Sequence, residues 1–428
     1  MTAATPHPFT IPNFRNFFVA RLCSMMGGYG MVLIIGWQAY NLARADGLSI
    51  EAAAVRLGFI GLFQFVPLFL LTPLVGWVAD SMDRRFVVRA VQALQFAVAL
   101  ALAIATMNDA VTLPFIYGVA VLLGVARAFQ GPAVGALAPN LVPKEVLPTA
   151  IALSSIAWQG GSIVGPAIAG PLYATAPSLP YWVASAFYAA AFLLFMRIGP
   201  VPRSQIDKGR GPIAQVVDGV RYVMANKLVL GVITLDLFAV LLAGAVALIP
   251  VYARDILQAG EHGLSLLAAS PAIGAAAVAL LFSVRPLKRN VGNRMLASVF
   301  VFGLATIGFG LSRSLPLSML CLIIYGGADM FSVFVRQSLI QLHTPDDRRG
   351  RVGAVSQLTI SASNELGEAE SGFLAGLLGP VTAVVAGGIG AIVVTALWAW
   401  RFPQISAART FDPSDEVVAS EPNAIAKP

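Results

Sequence analysis

The sequence has little charge, and this shortage excludes a soluble protein. Asp, Glu, Lys and Arg make up 11% of the 428 residues, against about 25% in a typical soluble domain. Apolar residues make up 57%, and a soluble fold has no way to hide so much apolar surface because polar groups must cover its exterior. We therefore expect a polytopic membrane protein, and no binding of nucleic acid, since the excess basic residues lie in loops rather than on a soluble face.

Cysteine and histidine are also scarce, which excludes a disulfide framework and a metal centre. Cys23 and Cys321 lie far apart in apolar runs, so we expect two free, buried thiols. His7, His262 and His343 have no partner at metal-ligand spacing. The sequence also lacks a Gly-Lys-Ser/Thr phosphate loop and a nucleophile–histidine pair, the machinery of ATP-driven transport and of hydrolysis. We expect no cofactor, no metal and no enzyme activity.

Long runs without charge are abundant. Residues 57–79 and 90–108 contain no Asp, Glu, Lys, Arg or His, and about 20 apolar residues are enough for a helix to cross the roughly 30 Å hydrocarbon core of a bilayer. Charge gaps and turn residues predict an all-α membrane protein with twelve transmembrane helices. Two of the longest apolar stretches are divided by turn residues, at 175–180 and at Gly379-Pro380.

The loops between the predicted helices indicate an orientation. Lys and Arg concentrate on one side of the membrane, which predicts that both termini are cytoplasmic. The other side receives Arg44, Arg56, Arg254 and Arg313.

The sequence also divides into two related halves. A shift of 202 residues places Arg127 on Asp329 and Gly165 on Gly367, as expected for parallel repeats of six helices. We predict two pseudo-symmetric six-helix bundles joined by a linker that contains an amphipathic helix. The predicted segments are a cytoplasmic tail at 1–14, bundles at 15–198 and 226–402, the cytoplasmic linker at 199–225 and a disordered cytoplasmic tail at 403–428.

The loop between the second and third predicted helices carries a family pattern. It reads Gly76-Trp-Val-Ala-Asp80-Ser-Met-Asp83-Arg84-Arg85. This resembles the Gly-x-x-x-Asp-(Arg/Lys)-x-Gly-x-(Arg/Lys)-(Arg/Lys) loop of the major facilitator superfamily of secondary transporters, although Asp83 stands where glycine is usual and no base follows Asp80. The resemblance implies the major facilitator fold and alternating access, with Gly76, Asp80, Arg84 and Arg85 as a cytoplasmic latch.

A glycine-rich stretch in the fifth predicted helix resembles a second pattern. Gly161-Ser-Ile-Val-Gly165-Pro166-Ala-Ile-Ala169-Gly170 is similar to the Gly-x-x-x-Gly-Pro-x-x-Gly-Gly pattern of the superfamily's antiporters, with alanine in place of one glycine. Small residues let helices approach closely and proline bends a helix, so ordinary packing is the alternative. The resemblance favours export over uptake.

The end of the tenth predicted helix narrows the resemblance. Residues 341–352 read Gln-Leu-His-Thr-Pro-Asp-Asp-Arg-Arg-Gly-Arg-Val, which is similar to the same region of bacterial exporters related to the enterobactin exporter, the transmembrane secretion effector group. That group implies proton-driven export of a small molecule, with siderophores and hydrophobic drugs as the leading substrate classes.

Ionisable residues inside the predicted helices are candidates for proton coupling, because each costs about 2.5–3.5 kcal/mol on insertion scales. The candidates are Arg127, Asp236, Asp329, Arg336, Glu365 and Glu368. Arg127-Ala-Phe-Gln130-Gly131 resembles the Arg-x-x-x-Gly pattern of the superfamily's fourth helix, whose arginine is associated with proton coupling. Opposite charges on Arg127 and Asp329 that pair in one state and separate in another would form a proton switch; static ion networks are the alternative.

The glutamates of the eleventh predicted helix allow several interpretations. Glu365 and Glu368 share a helical face, whereas Glu370 points away. Two close carboxylates cannot both stay ionised without a cation, so this pair would carry protons, bind a cationic substrate or a metal, or form a structural polar cluster. Such a segment argues against an anionic ligand like enterobactin.

Polar and aromatic residues in the first half are candidates for a substrate cavity, with ordinary interfacial or packing roles as the alternative. They are Gln38, Gln64, Gln130, Trp158 and Gln159. We predict a monomeric proton-coupled exporter, an antiporter whose partners are the lipid bilayer, protons and a small-molecule substrate. An uptake symporter or uniporter of the same fold is the alternative, and a non-transporting membrane sensor or enzyme is the third.

Overall fold

The protein is described by a computed structural model over residues 7–200, 212–285, 287–345 and 348–412. These ranges are helical and contain no strand, so the predicted all-α class is confirmed. The helices of the first half are α1 (Pro12–Ala45), α2 (Ile50–Ser81), α3 (Arg84–Met107), α4 (Leu113–Leu137), α5 (Leu147–Thr175) and α6 (Leu179–Met196). The second half follows with α7 (Pro212–Ala225), α8 (Lys227–Leu242), α9 (Ile249–Val251), α10 (Gly260–Val284), α11 (Val291–Leu311), α12 (Leu315–Leu342), α13 (Arg349–Leu378), α14 (Pro380–Arg401) and α15 (Pro403–Ala407).

Eleven segments of the described chain are long and apolar enough to cross a membrane. One of them, Lys227–Ile256, combines α8 with the short turns that follow it. The eleventh predicted helix corresponds to α13, whose 30 residues exceed the length that a bilayer requires. It is missing from the eleven because its three glutamates and many hydroxyl side chains lower its hydropathy. Length qualifies α13 as a span, and its composition marks it as unusual.

Local chemistry explains where several helices begin and end. Asp83, at the position where the family loop usually has glycine, is the N-cap of α3, and its side chain accepts from the backbone N–H of Arg85 at 2.9 Å. Gly379 has a φ of 82°, which favours glycine, and Pro380 then begins α14. The division between α13 and α14 therefore falls where the sequence predicts it, as does the division between α5 and α6.

The described chain forms two compact units. The first contains α1–α6 together with Ala247–Ala269, and the second contains Ile213–Val246 together with the chain from Ser270 onward. The stretch Ala247–Ala269 belongs by sequence to the second predicted bundle, yet it packs with the first. Residues 1–6, 201–211 and 413–428, which hold parts of the predicted tails and linker, lie outside the described residues.

The first unit is built around α1, which packs along α5 and α6, while α2 packs on α4 and α3 on α6. An aromatic core occupies the Pro12 end of α1, where Phe14, Phe17 and Phe195 are buried with Leu137. Gly124 allows α4 to approach α2, because a Cβ at this position would clash with the carbonyl oxygen of Gln64. In this unit, glycine therefore permits two helices to approach each other closely.

The second unit uses the same device at the corresponding position. A Cβ on Gly326 of α12 would clash with the carbonyl group of Pro271 in α10, so this glycine plays the part that Gly124, 202 residues earlier, plays in the first unit. The core lies where α8, α11, α12 and α14 meet, around Val232, Met295 and Leu339. The pseudo-symmetry is therefore visible in packing as well as in sequence.

The linker helix α7 is fixed to the second unit. The Asp218 carboxylate forms an ion pair with Arg351 at the start of α13, and the Tyr222 hydroxyl donates to the carbonyl oxygen of His343 at 3.0 Å. Val217, Val220 and Met224 remain exposed along the helix, in a spacing that suits the surface of a membrane.

Candidate functional site

The second unit contains a buried ion pair between Asp236 on α8 and Arg336 on α12. Arg336 is 2% exposed and Asp236 is 6% exposed. A charge in this environment is tolerated only when a partner compensates it, and each of these residues compensates the other. Both were predicted as coupling residues; the sequence left Asp236 near the membrane interface, and the structure buries it against α12.

Asp329 lies seven residues before Arg336 on α12 and has different neighbours. Its charge and that of Glu368 on α13 both act on the hydroxyl of Tyr325. Tyr325 in turn stacks on Phe302, with ring centroids 4.3 Å apart. The two carboxylates, on different helices, therefore lie near the same phenol.

The remaining glutamates of α13 differ in burial. Glu365 is 1% exposed, whereas Glu370 is partly exposed and one of its carboxylate oxygens is buried without a hydrogen-bond partner. Within the described part of the chain, no group of three or more His, Cys, Asp or Glu side chains gathers at distances suited to a metal ion.

The first unit contains a polar cluster that the sequence analysis did not identify. The Ser24 hydroxyl accepts from the side-chain amide of Gln92 at 2.9 Å and from that of Gln130 at 3.1 Å. Gln95 donates to the Gln130 carbonyl at 3.1 Å. Ser24, Gln92 and Gln95 are buried, and of the cluster the sequence predicted only Gln130. The missed signal is the spacing of Gln92 and Gln95, which places two amides on one face of α3.

Arg127 lies next to buried phenols in the same unit. Arg127 itself is exposed, and its charge acts on the hydroxyls of Tyr29 and Tyr188. Tyr29 meets Trp158 edge to face, with ring centroids 6.4 Å apart. Trp158, a predicted cavity residue, is 40% exposed. Of these residues, Arg127 and Trp158 are exposed enough to contact another molecule, whereas Tyr188 is fully buried.

The other predicted cavity residues are more deeply placed. Gln38 is buried with both ends of its amide engaged, donating to Thr106 at 3.3 Å and accepting from Tyr181 at 2.7 Å. Gln64 is 3% exposed, and Gln159 has a side-chain nitrogen that is buried without a partner. The contacts of Gln38 are those of a structural residue that joins α1, α3 and α6.

The predicted latch is only partly described. Gly76 and Asp80 lie in the last turns of α2, and their side chains lie outside the described residues. Arg85 contacts the Asp83 carboxylate at 2.7 Å, and it also donates to the carbonyl oxygen of Ile198, just beyond α6, at 3.4 Å. Arg89, which the sequence analysis missed, donates to the carbonyl oxygens of Phe195 and Ile198 and so ties α3 to the end of α6. Arg84 is half-buried at the first position of α3.

The glycine stretch of α5 is a packing surface. A Cβ on Gly161 would clash with Met25 of α1, and one on Gly165 would lie 2.6 Å from the carbonyl oxygen of Met26. Pro166, the residue after Gly165, is also buried. Gly170 donates its backbone N–H to the Ser265 hydroxyl at 2.8 Å. The predicted motif therefore brings α5 against α1 and against the first turns of α10.

A clamp at the Ala45 end of α1 was also missed by the sequence analysis. After α9 the chain forms a π-helical turn, Tyr252–Ile256, a rare conformation that is frequent at functional sites. The Asp255 carboxylate accepts from Tyr40 at 2.5 Å and pairs with Arg44 at 3.3 Å. Arg254 donates to the Asn41 side chain at 2.6 Å. We call these five residues, Tyr40, Asn41, Arg44, Arg254 and Asp255, the end clamp.

Replacing Asp255 by Asn is expected to loosen this turn. The change weakens two bonds to a charged group, each worth about 1.5–3 kcal/mol, so local opening becomes at least about tenfold more frequent. Hydrogen–deuterium exchange of residues 252–261 measures that opening. Asp46→Asn is the matched control, because Asp46 is exposed at the same end of α1. Equal exchange in both variants would show that the end clamp does not hold the turn.

Comparisons with known proteins agree with this architecture. The profile of the family described as transmembrane secretion effector matches residues 3–424. An enterobactin exporter of Escherichia coli O1:K1 / APEC is 26% identical over 397 residues, covering 91% of each chain. Another from Shigella boydii serotype 18 is 25% identical over 392 residues, with the same coverage.

Solved structures show the same fold at low sequence identity. A bacterial homologue of the human lysosomal transporter Spinster superposes with a TM-score of 0.71 at 13% identity, over 93% of this chain and 98% of that one. A D-xylose–proton symporter gives a TM-score of 0.69 at 14% identity, over 90% and 97%.

Proposed function

Because the chain belongs to the transmembrane secretion effector family of major facilitator transporters, we propose that it is a proton-coupled antiporter that exports a small molecule by alternating access. The observation that carries the proposal is the set of buried charges in the second unit, with the Asp236–Arg336 pair at its centre. Buried charges in a membrane are costly, and a protein that needed only a scaffold would be more stable with apolar residues of similar size.

Asp329 is the proposed site of proton exchange. It is partly exposed whereas Arg336 is buried, and its charge and that of Glu368 both act on Tyr325. Proton exchange requires access to water, which the buried pair lacks. Asp236 and Arg336 then hold the neighbouring turns of α8 and α12 in place, and Glu365 and Glu368 supply the alternative proton acceptors on α13. Arg127, at the equivalent position of the first repeat, remains the proposed cationic counterpart.

The first unit supplies the proposed contacts to substrate. Trp158 and the Arg127–tyrosine group combine aromatic surface with positive charge, which suits siderophores and hydrophobic drugs. The relatives named as enterobactin exporters support a siderophore. An uptake symporter or uniporter of the same fold is the second candidate, and the antiporter-like stretch from Gly161 to Gly170 weighs against it.

The proposed setting is a bacterial inner membrane with both termini in the cytoplasm and the protein as a monomer. The distribution of Lys and Arg among the loops supports this orientation. Under it, the predicted latch faces the cytoplasm and the end clamp faces the outside.

Asp329→Asn tests the coupling. Inside-out vesicles with an imposed proton gradient would be supplied with a catecholate siderophore, a hydroxamate siderophore and a lipophilic cation, and both proton efflux and accumulation would be recorded. We expect the wild type to accumulate at least one probe while releasing protons, and Asp329→Asn to lose at least about 90% of the proton-driven part. The reason is that the asparagine amide cannot take up and release a proton as a carboxylate does.

Asp109→Asn is the control for that experiment. Asp109 lies exposed in the turn between α3 and α4 with a φ of 52°, a conformation that Asn also accepts. It should transport like the wild type. Accumulation that ignores both the gradient and Asp329→Asn would identify a uniporter, and accumulation only in right-side-out vesicles would identify uptake.

A further inference from the structure

The first unit contains a cavity beside the end clamp. It has a volume of about 570 Å³ and is lined by Trp37 and Asn41 on α1, by Arg254 within the π-helical turn, by Gln258 just after that turn, and by Glu261 at the start of α10. We call it the end pocket. Its volume is within the range of about 300–1,000 Å³ that small-molecule sites occupy. None of the residues proposed for coupling lines it.

Trp37 lines the end pocket but offers it no hydrogen bond. Trp37 is 2% exposed, and its indole nitrogen is buried with no hydrogen-bond partner among the described residues. Because this nitrogen is out of reach of a molecule in the cavity, recognition there depends on the charged side chains.

The cavity also carries one charge of each sign. One guanidinium nitrogen of Arg254 donates to the Asn41 side chain, and the guanidinium group has further N–H donors. Within the described residues, no ion pair joins Arg254 to Glu261, and Glu261 has no other cation within ion-pair distance. A positive and a negative side chain that line one cavity without pairing complement a ligand that carries both charges.

The backbone around the cavity is held in a strained form. Gln258 has a φ of 50° and Gly260 has a φ of 59°. Such a conformation costs about 1–3 kcal/mol for a residue other than glycine, and it persists where the surroundings fix it, often at ligand sites. Here it turns the chain sharply between Arg254 and Glu261, so that both side chains line one cavity.

We propose that the end pocket binds a small zwitterion. Its carboxylate contacts the Arg254 guanidinium, and its ammonium contacts the Glu261 carboxylate. This proposal rests on the residues of the first unit alone, and it holds whether or not transport is coupled to protons. The ligand bridges α1 to the chain on both sides of Gln258.

Probes that differ only in charge test the proposal. The full-length protein in lipid nanodiscs would be titrated calorimetrically with glycine, 4-aminobutanoate and 6-aminohexanoate, three zwitterions with increasing charge separation. Butanoate and butylammonium carry the negative or the positive charge alone. We expect at least one zwitterion to bind, and to bind at least tenfold more tightly than butanoate and butylammonium.

Variants then assign the contacts. Arg254→Gln and Glu261→Gln should each weaken binding of that zwitterion at least tenfold. Arg313→Gln removes an exposed arginine elsewhere and should leave binding unchanged. The melting temperature without ligand establishes that each variant is folded, and Arg254→Lys, which keeps the charge, should bind more tightly than Arg254→Gln.

Three results would overturn the proposal. The first is no binding of any of the three zwitterions to the wild type, and the second is equal binding of butanoate or butylammonium. The third is zwitterion binding that survives both Arg254→Gln and Glu261→Gln in folded protein, because the charges would then have no part in recognition.

Discussion

Replacing Arg336 by Gln is expected to lower the free energy of unfolding by about 3–5 kcal/mol, because the change leaves the Asp236 carboxylate buried without its cation. Asp236 is 6% exposed and Arg336 is 2% exposed, so water does not compensate the lost partner. Unfolding of the purified protein in micelles by a denaturing detergent, at fixed lipid content, measures this loss.

The double variant Asp236→Asn/Arg336→Gln separates the structural effect from the functional one. With both charges removed, stability should return to within about 1–2 kcal/mol of the wild type, since replacing a buried pair is often nearly neutral. We nevertheless expect the double variant to lose proton-driven transport. A single variant as stable as the wild type would refute the pair as a structural element, and normal transport by the double variant would remove it from the coupling mechanism.

Gly161→Ala is expected to destabilise the first unit strongly, whereas the same change at the adjacent Gly160 is not. A Cβ on Gly161 would clash with Met25 and its backbone, while one on Gly160 would lie 3.5 Å from the end of the flexible Leu22 side chain. Overpacking of this kind typically costs about 1–3 kcal/mol. Alanine at position 160 instead gains helix propensity, up to about 1 kcal/mol.

The two glycine variants are compared by melting temperature in the same detergent. Gly161→Ala should melt several degrees below the wild type and Gly160→Ala at or above it. If both lowered the melting temperature equally, the effect would belong to glycine in α5 generally, and the close approach of α5 to α1 would not be its cause.

Much of the fold was predictable because the bilayer imposes simple rules on a sequence. Runs without charge marked the spans, and turn residues such as Gly379 and Pro380 marked where one helix ends and the next begins. The helix α13 shows the limit of that reasoning, since its glutamates make it too polar to qualify by composition. The turn at Gly379-Pro380 nevertheless bounded it as a predicted helix, and in the 202-residue repeat its Gly367 matches Gly165 of α5.

The site was less predictable because its contacts join distant parts of the chain. Sequence distance gives no reason to pair Asp236 with Arg336, 100 residues later, rather than with any other intramembrane arginine. The same holds for Ser24 and Gln92, which meet only because α1 and α3 share a packed unit. Asp255 was overlooked because it lies near a predicted loop, and only the π-helical turn directs it to Tyr40.

The pairing of Asp236 with Arg336 also has a consequence for biosynthesis. At about 5–20 residues per second, the ribosome completes α12 roughly 5–20 seconds after α8, so Asp236 enters the bilayer before its partner exists. An unpaired aspartate costs about 2.5–3.5 kcal/mol on insertion scales. The segment that carries it, Lys227–Ile256, has a mean hydropathy of 2.6, the highest of the eleven spans. This high hydropathy offsets the cost of the unpaired aspartate until α12 and its arginine have been inserted.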